Sequence, residues 1–174
     1  MKEIYNKYCN DIQNPALGAY LISTFVNFYY KRKEKNATLI DIIIFIPLMI
    51  VKDTRELIFW KSSDDKWRKI TKMSKFYEKV GYIGKAHSNF TIGTINGIIL
   101  KFREYVMASL IFGIESNILS LKSNGEIVSK ELSKFDYDNN LDVYEMTKAT
   151  SIIADIYAKD TSLDEVIKNL EVYL

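Results

Sequence analysis

Cysteine and histidine are almost absent: Cys9 and His87 are the only ones in 174 residues. A single cysteine excludes an intramolecular disulfide, and with one histidine it leaves no Cys/His set for a zinc cluster of the usual kind. Such thiol usage fits a reducing, cytoplasmic compartment. Long apolar runs are also lacking. The longest, from Leu39 to Val51, contains Asp41 and Pro47, falls short of the about 20 residues that a membrane-spanning helix needs, and reads as buried core. The first residues include Lys2, Glu3, Asn6, Lys7 and Asp11, so the apolar centre of a secretory signal is missing. Charge of one sign is missing as well. With 24 basic and 22 acidic side chains the formal charge is +2, so any contact with nucleic acid has to be a local patch.

Apolar and aromatic side chains are plentiful. A hydrophobic content of 48% and an aromatic content of 13% are those of an ordered protein with more aromatic side chains than a monomer needs to fold, so some are expected to face a partner. The length suits a single domain, 1–174.

Reactive constellations do not assemble along the chain. No nucleophile-elbow pattern surrounds any serine that His87 would serve, and nothing joins Cys9 to His87 as a nucleophile pair. Both are expected to be structural, and a hydrolase built on them is the weakest reading. The acidic run Asp136, Asp138, Asn139, Asn140 and Asp142 lacks the central glycine and twelfth-position carboxylate of a calcium loop. Gly81, Gly84, Gly93 and Gly97 precede no Gly-Lys-Ser/Thr, so no phosphate loop is present. Expected are no catalytic residues, no cofactor, no metal and no small-molecule substrate.

Punctuation marks the elements. Asn14-Pro15 opens a helix to about Lys33, because the asparagine side chain accepts an orphan N–H and proline at the first position has none to lose. Leu17, Leu21, Thr24, Phe25 and Phe28 form its stripe, and Tyr20, Tyr29 and Tyr30 widen it to two buried sides. Lys31, Arg32, Lys33 and Lys35 suit its C-terminus. The apolar run Thr38 to Val51 fits a buried strand or a buried helix and its isoleucines favour strand, but Thr38 with Asp41 resembles a capping box, which points to a short helix that breaks near Pro47. Asp53-Thr54 offers a cap for a helix over Arg55 to Trp60. A helix from Lys66 to about Val80 follows, with Trp67, Ile70, Met73, Tyr77 and Val80 inward and Lys69, Lys72, Lys75 and Lys79 on a solvated face. Gly81 and Gly84 interrupt it. From Asn89 to about Phe112 the spacing of Ile92, Ile95, Ile99, Phe102 and Val106 predicts the central helix. Segments 114–121 and 126–132 flank Ser123-Asn124-Gly125, the signal for one β-hairpin. Helices over about 143–158 and 163–170 end the chain, the last opened by a Ser162/Glu165 capping box. The fold class is α+β, mainly α-helical: a compact helical domain with one hairpin.

The phrase Asn14-Pro15-Ala16-Leu17-Gly18-Ala19-Tyr20-Leu21-Ile22, followed by Phe25-Val26 and Tyr29-Tyr30, resembles the opening of the middle components of bacterial three-component ABC systems. The stretch Ile46-Pro47-Leu48 leading to Lys52-Asp53-Thr54-Arg55-Glu56 resembles a second signature of that family, and the remaining layout follows more loosely. The resemblance implies a non-catalytic accessory subunit linking a chromosome-maintenance (SMC) or Rad50-like ABC ATPase to an effector, often a nuclease, in an antiphage defence complex of which Lamassu is one type. It also implies contact with DNA through the assembled complex, and comparison with winged-helix subunits of chromosome-organising machines. The expected partner-binding residues are Tyr20, Tyr29, Tyr30, Arg55 and Glu56, with exposed tyrosines touching the ATPase or effector. The alternative is a DNA-binding winged-helix regulator, using the basic Lys66 to Lys79 segment or the Lys122 to Lys130 hairpin.

Overall fold

Asn14 caps the first helix as its chemistry requires: its side-chain oxygen accepts from Ala16 N at 2.9 Å, with Pro15 in the first position of α1 (Pro15–Lys33). The structure, a computed structural model, describes residues 14–86, 92–130 and 140–172, and the side chains of all of these but 81–86 and 92–94. Cys9, His87, the Asn89 to Thr91 cap, Asp136, Asp138, Asn139 and the terminal Tyr173 and Leu174 lie outside the described residues.

A short strand, β1 (Ala37–Thr38), leads into α2 (Leu39–Ile50) through a complete capping box. Pro47 does not break α2. The helix runs on to Ile50, and Val51 N still donates to Pro47 O at 3.3 Å. Proline removes one donor, but the side chains on either side of it are buried and hold the last turn in place.

The next stretch departs furthest from expectation. Instead of a helix from Arg55, one helical turn, α3 (Lys52–Arg55), is followed by a two-stranded hairpin, β2 (Phe59–Lys61) and β3 (Trp67–Lys69). Asp53-Thr54 opens no helix because Thr54 Oγ1 turns back to Leu48 O and, at 2.9 Å, to Val51 O. The predicted helix start at Lys66 leads instead into β3. Ser62 N donates to Lys66 O at 2.9 Å and Asp65 takes a left-handed φ of 63°, so the polar residues 62–65 close a turn. Two hairpins are thus present among the described residues. Helix α4 (Met73–Ala86) begins later and continues through Gly81 and Gly84.

Helix α5 (Ile92–Glu115) is followed by β4 (Leu119–Leu121) and β5 (Glu126–Ser129), joined around Gly125 at φ 80° as the Asn-Gly signal predicts. The strands add to β1 in the antiparallel order β1-β5-β4. Asn140 caps α6 (Leu141–Asp160) and Ser162 caps α7 (Leu163–Leu170). The whole is mainly α-helical with small antiparallel sheets.

The central helix is α1 rather than α5: it packs against α5 on one side and α6 on the other, with α2 and β5 adjoining. Small residues allow this. A side chain at Gly18 would collide with Ser109, whose Cβ lies 2.6 Å from the position a Gly18 Cβ would take. Further along, Phe25, Tyr29, Phe45 and Tyr157 meet as one aromatic cluster, with ring centroids 4.7 Å apart for Phe45 and Tyr157 and 5.4 Å for Tyr29 and Tyr157.

A buried carboxylate lies beside that cluster. Asp41 Oδ1 accepts from Tyr157 Oη at 2.6 Å, while Oδ2 accepts from Thr38 N at 2.7 Å and Thr38 Oγ1 at 2.8 Å. A buried charge is tolerable only when so satisfied. Tyr157→Phe removes one donor and keeps the ring, so a loss of about 1.5–3 kcal/mol in urea-denaturation stability is expected, as for other hydrogen bonds to charged groups.

Burial also raises the phenol pKa values of Tyr157, Tyr77, Tyr105 and Tyr29, with Tyr105 pushed up to about 12. A phenol that holds its proton more tightly when folded contributes stability in full below its unfolded pKa of about 10. That contribution is lost as pH rises through the folded value. The melting temperature should therefore fall progressively above pH 10, with tyrosinate absorbance appearing together with unfolding.

Candidate functional site

The second signature segment is built as a structural tie. Arg55 is 2% exposed, and its guanidinium donates to Asp142 and, at 3.3 Å, to Glu145, both on α6, and to Ile50 O at 3.1 Å at the end of α2. Neighbouring Thr54 binds the last carbonyls of α2. Lys52-Asp53-Thr54-Arg55-Glu56 therefore ends one helix and fastens it to another. Lys52, Asp53 and Glu56 face solvent, with Lys52 and Glu56 forming a surface pair at 3.7 Å.

The three tyrosines of α1 divide in the same way. Tyr20 and Tyr29 are buried, as the two-sided stripe predicts, so the exposure that direct partner contact needs is not found; Tyr29 belongs to the aromatic cluster. The reason is the central position of α1, which leaves only a narrow strip of its surface open. Tyr30, 51% exposed, lies on that strip. It borders an open groove of ≈ 400 Å³ that Asn27, Asn36, Lys122 and Val128 help to line. Phe28, assigned to the buried stripe, is exposed beside a second groove of ≈ 270 Å³ between α1, α6 and the end of β3.

Some of the cations of the basic segments are paired. Arg68 and Lys66 pair with Asp64, at 3.1 and 3.6 Å, and Lys61 with Asp65 at 2.6 Å. On the other hairpin Lys122 pairs with Glu126 at 3.1 Å, and Lys130 donates to Asn117 at 3.1 Å. Lys79 does not belong to a solvated face. Its Nζ sits 3.4 Å from the centre of the Trp60 ring and donates to Leu57 O at 3.1 Å, and burial lowers its pKa. Trp67, expected inward, is 38% exposed and stacks on Phe59 at 4.6 Å. Among the described residues no group of three or more His, Cys, Asp and Glu could hold a metal ion, and no helix is long and apolar enough to cross a membrane.

Apolar exposure also lies where sequence reading placed only core. On α5 the inner stripe of Ile95, Ile99, Val106 and Leu110 is buried as expected, yet Leu100 is 59% and Ile111 53% exposed, and Phe112 and Ile114 are also open. Leu121 on β4 adds to them. The signal was present in the spacing: Leu100, Met107 and Ile114 recur every seven residues, a second periodicity hidden beneath the stronger inner one.

These features define a mainly α-helical protein whose polar signature residues bind its own framework and whose outer surface presents apolar side chains. The chain belongs to the family described as ABC-three component (ABC-3C) system Middle Component 3, whose model matches residues 3–174. No curated protein and no solved structure matches it.

The tie and the surface residues separate experimentally. Arg55→Ala leaves two carboxylates without their cation and should cost on the order of 2–3 kcal/mol, less than a fully buried pair because Asp142 keeps some solvent. Tyr30→Ala and Glu56→Ala should stay within about 0.5 kcal/mol of the parent. Urea denaturation of the three variants is the measurement.

Proposed function

We propose that this middle component is a non-catalytic accessory subunit that links an SMC or Rad50-like ABC ATPase to an effector, often a nuclease, in an antiphage defence assembly of the Lamassu kind. Family membership carries the reading, since a middle component works with the other parts of its system. The surface is consistent with it. Exposed apolar and aromatic side chains on α1, α5 and β4 suit protein contact, and Tyr30 and Glu56 remain available as contact residues. Tyr20, Tyr29 and Arg55 would act through the fold, by holding the presenting helices in place.

A second reading, a DNA-binding winged-helix regulator, draws on one observation. The order β1-β5-β4, with α5 leading directly into the β4–β5 hairpin, is the order a winged-helix domain would have. In such a domain the helix before the hairpin enters the major groove. Here that helix exposes Leu100, Ile111 and Ile114, and its exposed Lys101 and Arg103 are balanced by Glu104 and Glu115, so it offers phosphates no net positive face. The lysines of the hairpin are already engaged.

Tagged protein co-expressed with the ATPase and effector of its system should retain at least one of them through affinity and size-exclusion steps. Retention of neither would overturn the accessory reading. In gel shifts the isolated chain should bind duplex weakly, with appreciable affinity only when the ATPase is added. Strong, salt-sensitive binding by the chain alone would favour the regulator.

A further inference from the structure

One face of the β2–β3 hairpin combines an open aromatic ring with cations. The register sets Lys61 against Trp67 and Phe59 against Lys69. Residues opposite one another, or two apart along a strand, share a side of the sheet, so these four form one face. Trp67 lies parallel to Phe59, with 8° between the ring planes and 4.6 Å between centroids. Tyr144 of α6 is almost equally far from both, 6.0 Å from Trp67 and 6.2 Å from Phe59, and steeply tilted to each. A ring equidistant from two stacked rings lies abreast of the stack and not on its end. Phe59 therefore supports one side of the indole and Tyr144 borders its rim, while neither covers the other side. Trp67 is accordingly exposed and Phe59 buried.

The charge around this ring is positive. Residues 59–69 carry four cations, Lys61, Lys66, Arg68 and Lys69, against two carboxylates, Asp64 and Asp65. Asp64 pairs with Lys66 and Arg68. Asp65 pairs with Lys61 in an exposed contact, which another anion exchanges at little cost. Asp142 and Glu145 on α6 are held by Arg55, and Asp155 by Arg32. Lys148, over the Tyr144 ring at 5.7 Å, and Lys69 have no ion-pair partner among the described residues. An indole fixed on one side and open on the other, beside spare lysines, suits a flat π-system joined to phosphate. An apolar protein surface would cover the ring but strip water from the lysines without replacing it. An acidic peptide would meet the lysines but bring no flat group to the ring. In a duplex each base is already stacked on its neighbours, so only an unpaired strand can offer a base face.

We propose that Trp67, with Lys61, Lys69 and Lys148, is a binding platform for single-stranded nucleic acid: one base stacks on the open indole face, and the lysines hold the adjoining phosphates. The site goes beyond the accessory reading and does not depend on it. It also differs from the regulator reading, which requires a duplex groove.

The full chain is titrated into fluorescein-labelled oligo-dT and oligo-rU of about 12 nucleotides, and into a duplex of equal length, at about 50 mM salt, with anisotropy as the readout. Both single strands should bind, the tighter identifying the preferred sugar, and the duplex should bind less well. Trp67→Ala should lower affinity about tenfold or more, and Trp67→Leu, apolar but without a ring, should do the same. Trp67→Tyr should retain most of it. The double variant Lys61→Gln, Lys69→Gln, both sites exposed, should weaken binding and flatten its salt dependence by about one in the logarithmic slope, which the Trp67 variants should leave unchanged. No binding of either single strand would overturn the proposal, as would preference for the duplex. Undiminished affinity in folded Trp67→Ala would overturn it too, and if that variant does not fold, undiminished affinity in the double lysine variant decides equally. Loss of partner retention by Trp67→Ala in the co-expressed system, with no strand binding by the parent, would make the platform a protein contact and overturn the proposal while leaving the accessory reading intact.

Discussion

One buried negative charge organises the fold. Asp41 completes the N-terminal cap of α2 with one oxygen and receives the Tyr157 hydroxyl of α6 with the other. Because each carboxylate oxygen must find a donor away from water, the start of α2 and the late turns of α6 are held in a single relative position. At the far end of α2, Arg55 repeats the constraint with opposite sign, joining Ile50 O to Asp142 and Glu145 near the start of α6. Two helices are thereby pinned at both ends. The aromatic cluster of Phe25, Tyr29, Phe45 and Tyr157 fills the space between them and α1.

Local chemistry made most of this architecture legible. Asn14-Pro15, the Thr38/Asp41 box, Asn140, the Ser162 cap and the Asn-Gly turn each satisfy a specific backbone group, and each marks an element boundary in the structure. Where the sequence misled, long-range packing overrode a local rule. Pro47 stays within α2 because the residues around it are buried. Trp67 reads as a helical core position, yet its strand pairs with Phe59 to Lys61, a contact no periodicity within 66–80 could disclose. The exposure of side chains on α1 was equally hidden, since it depends on where α5 and α6 lie rather than on α1 itself.

The signature motifs acquire a different meaning from this. Gly18 and Ala19 permit the close crossing of α1 with α5, and Thr54 with Arg55 closes α2 onto α6. Their residue types answer to packing and to buried hydrogen bonds. Most of such a signature therefore reports on the framework. Tyr30 and Glu56 sit at the outer edges of the two motifs, where the framework makes no demand on them.

The α5 helix shows how such a position differs from incidental exposure. Isolated apolar residues on a surface need no explanation, because every folded protein has them. Folding places no requirement on Leu100, Ile111 or Ile114, since the opposite side of the same helix already supplies Ile95, Ile99, Val106 and Leu110 to the core. A solvated outer face would serve stability equally well and solubility better. The apolar side chains of that outer face therefore lie outside what the described core requires. Behind it, α1 and α2 take up the buried side of α5 and fix the helix in place.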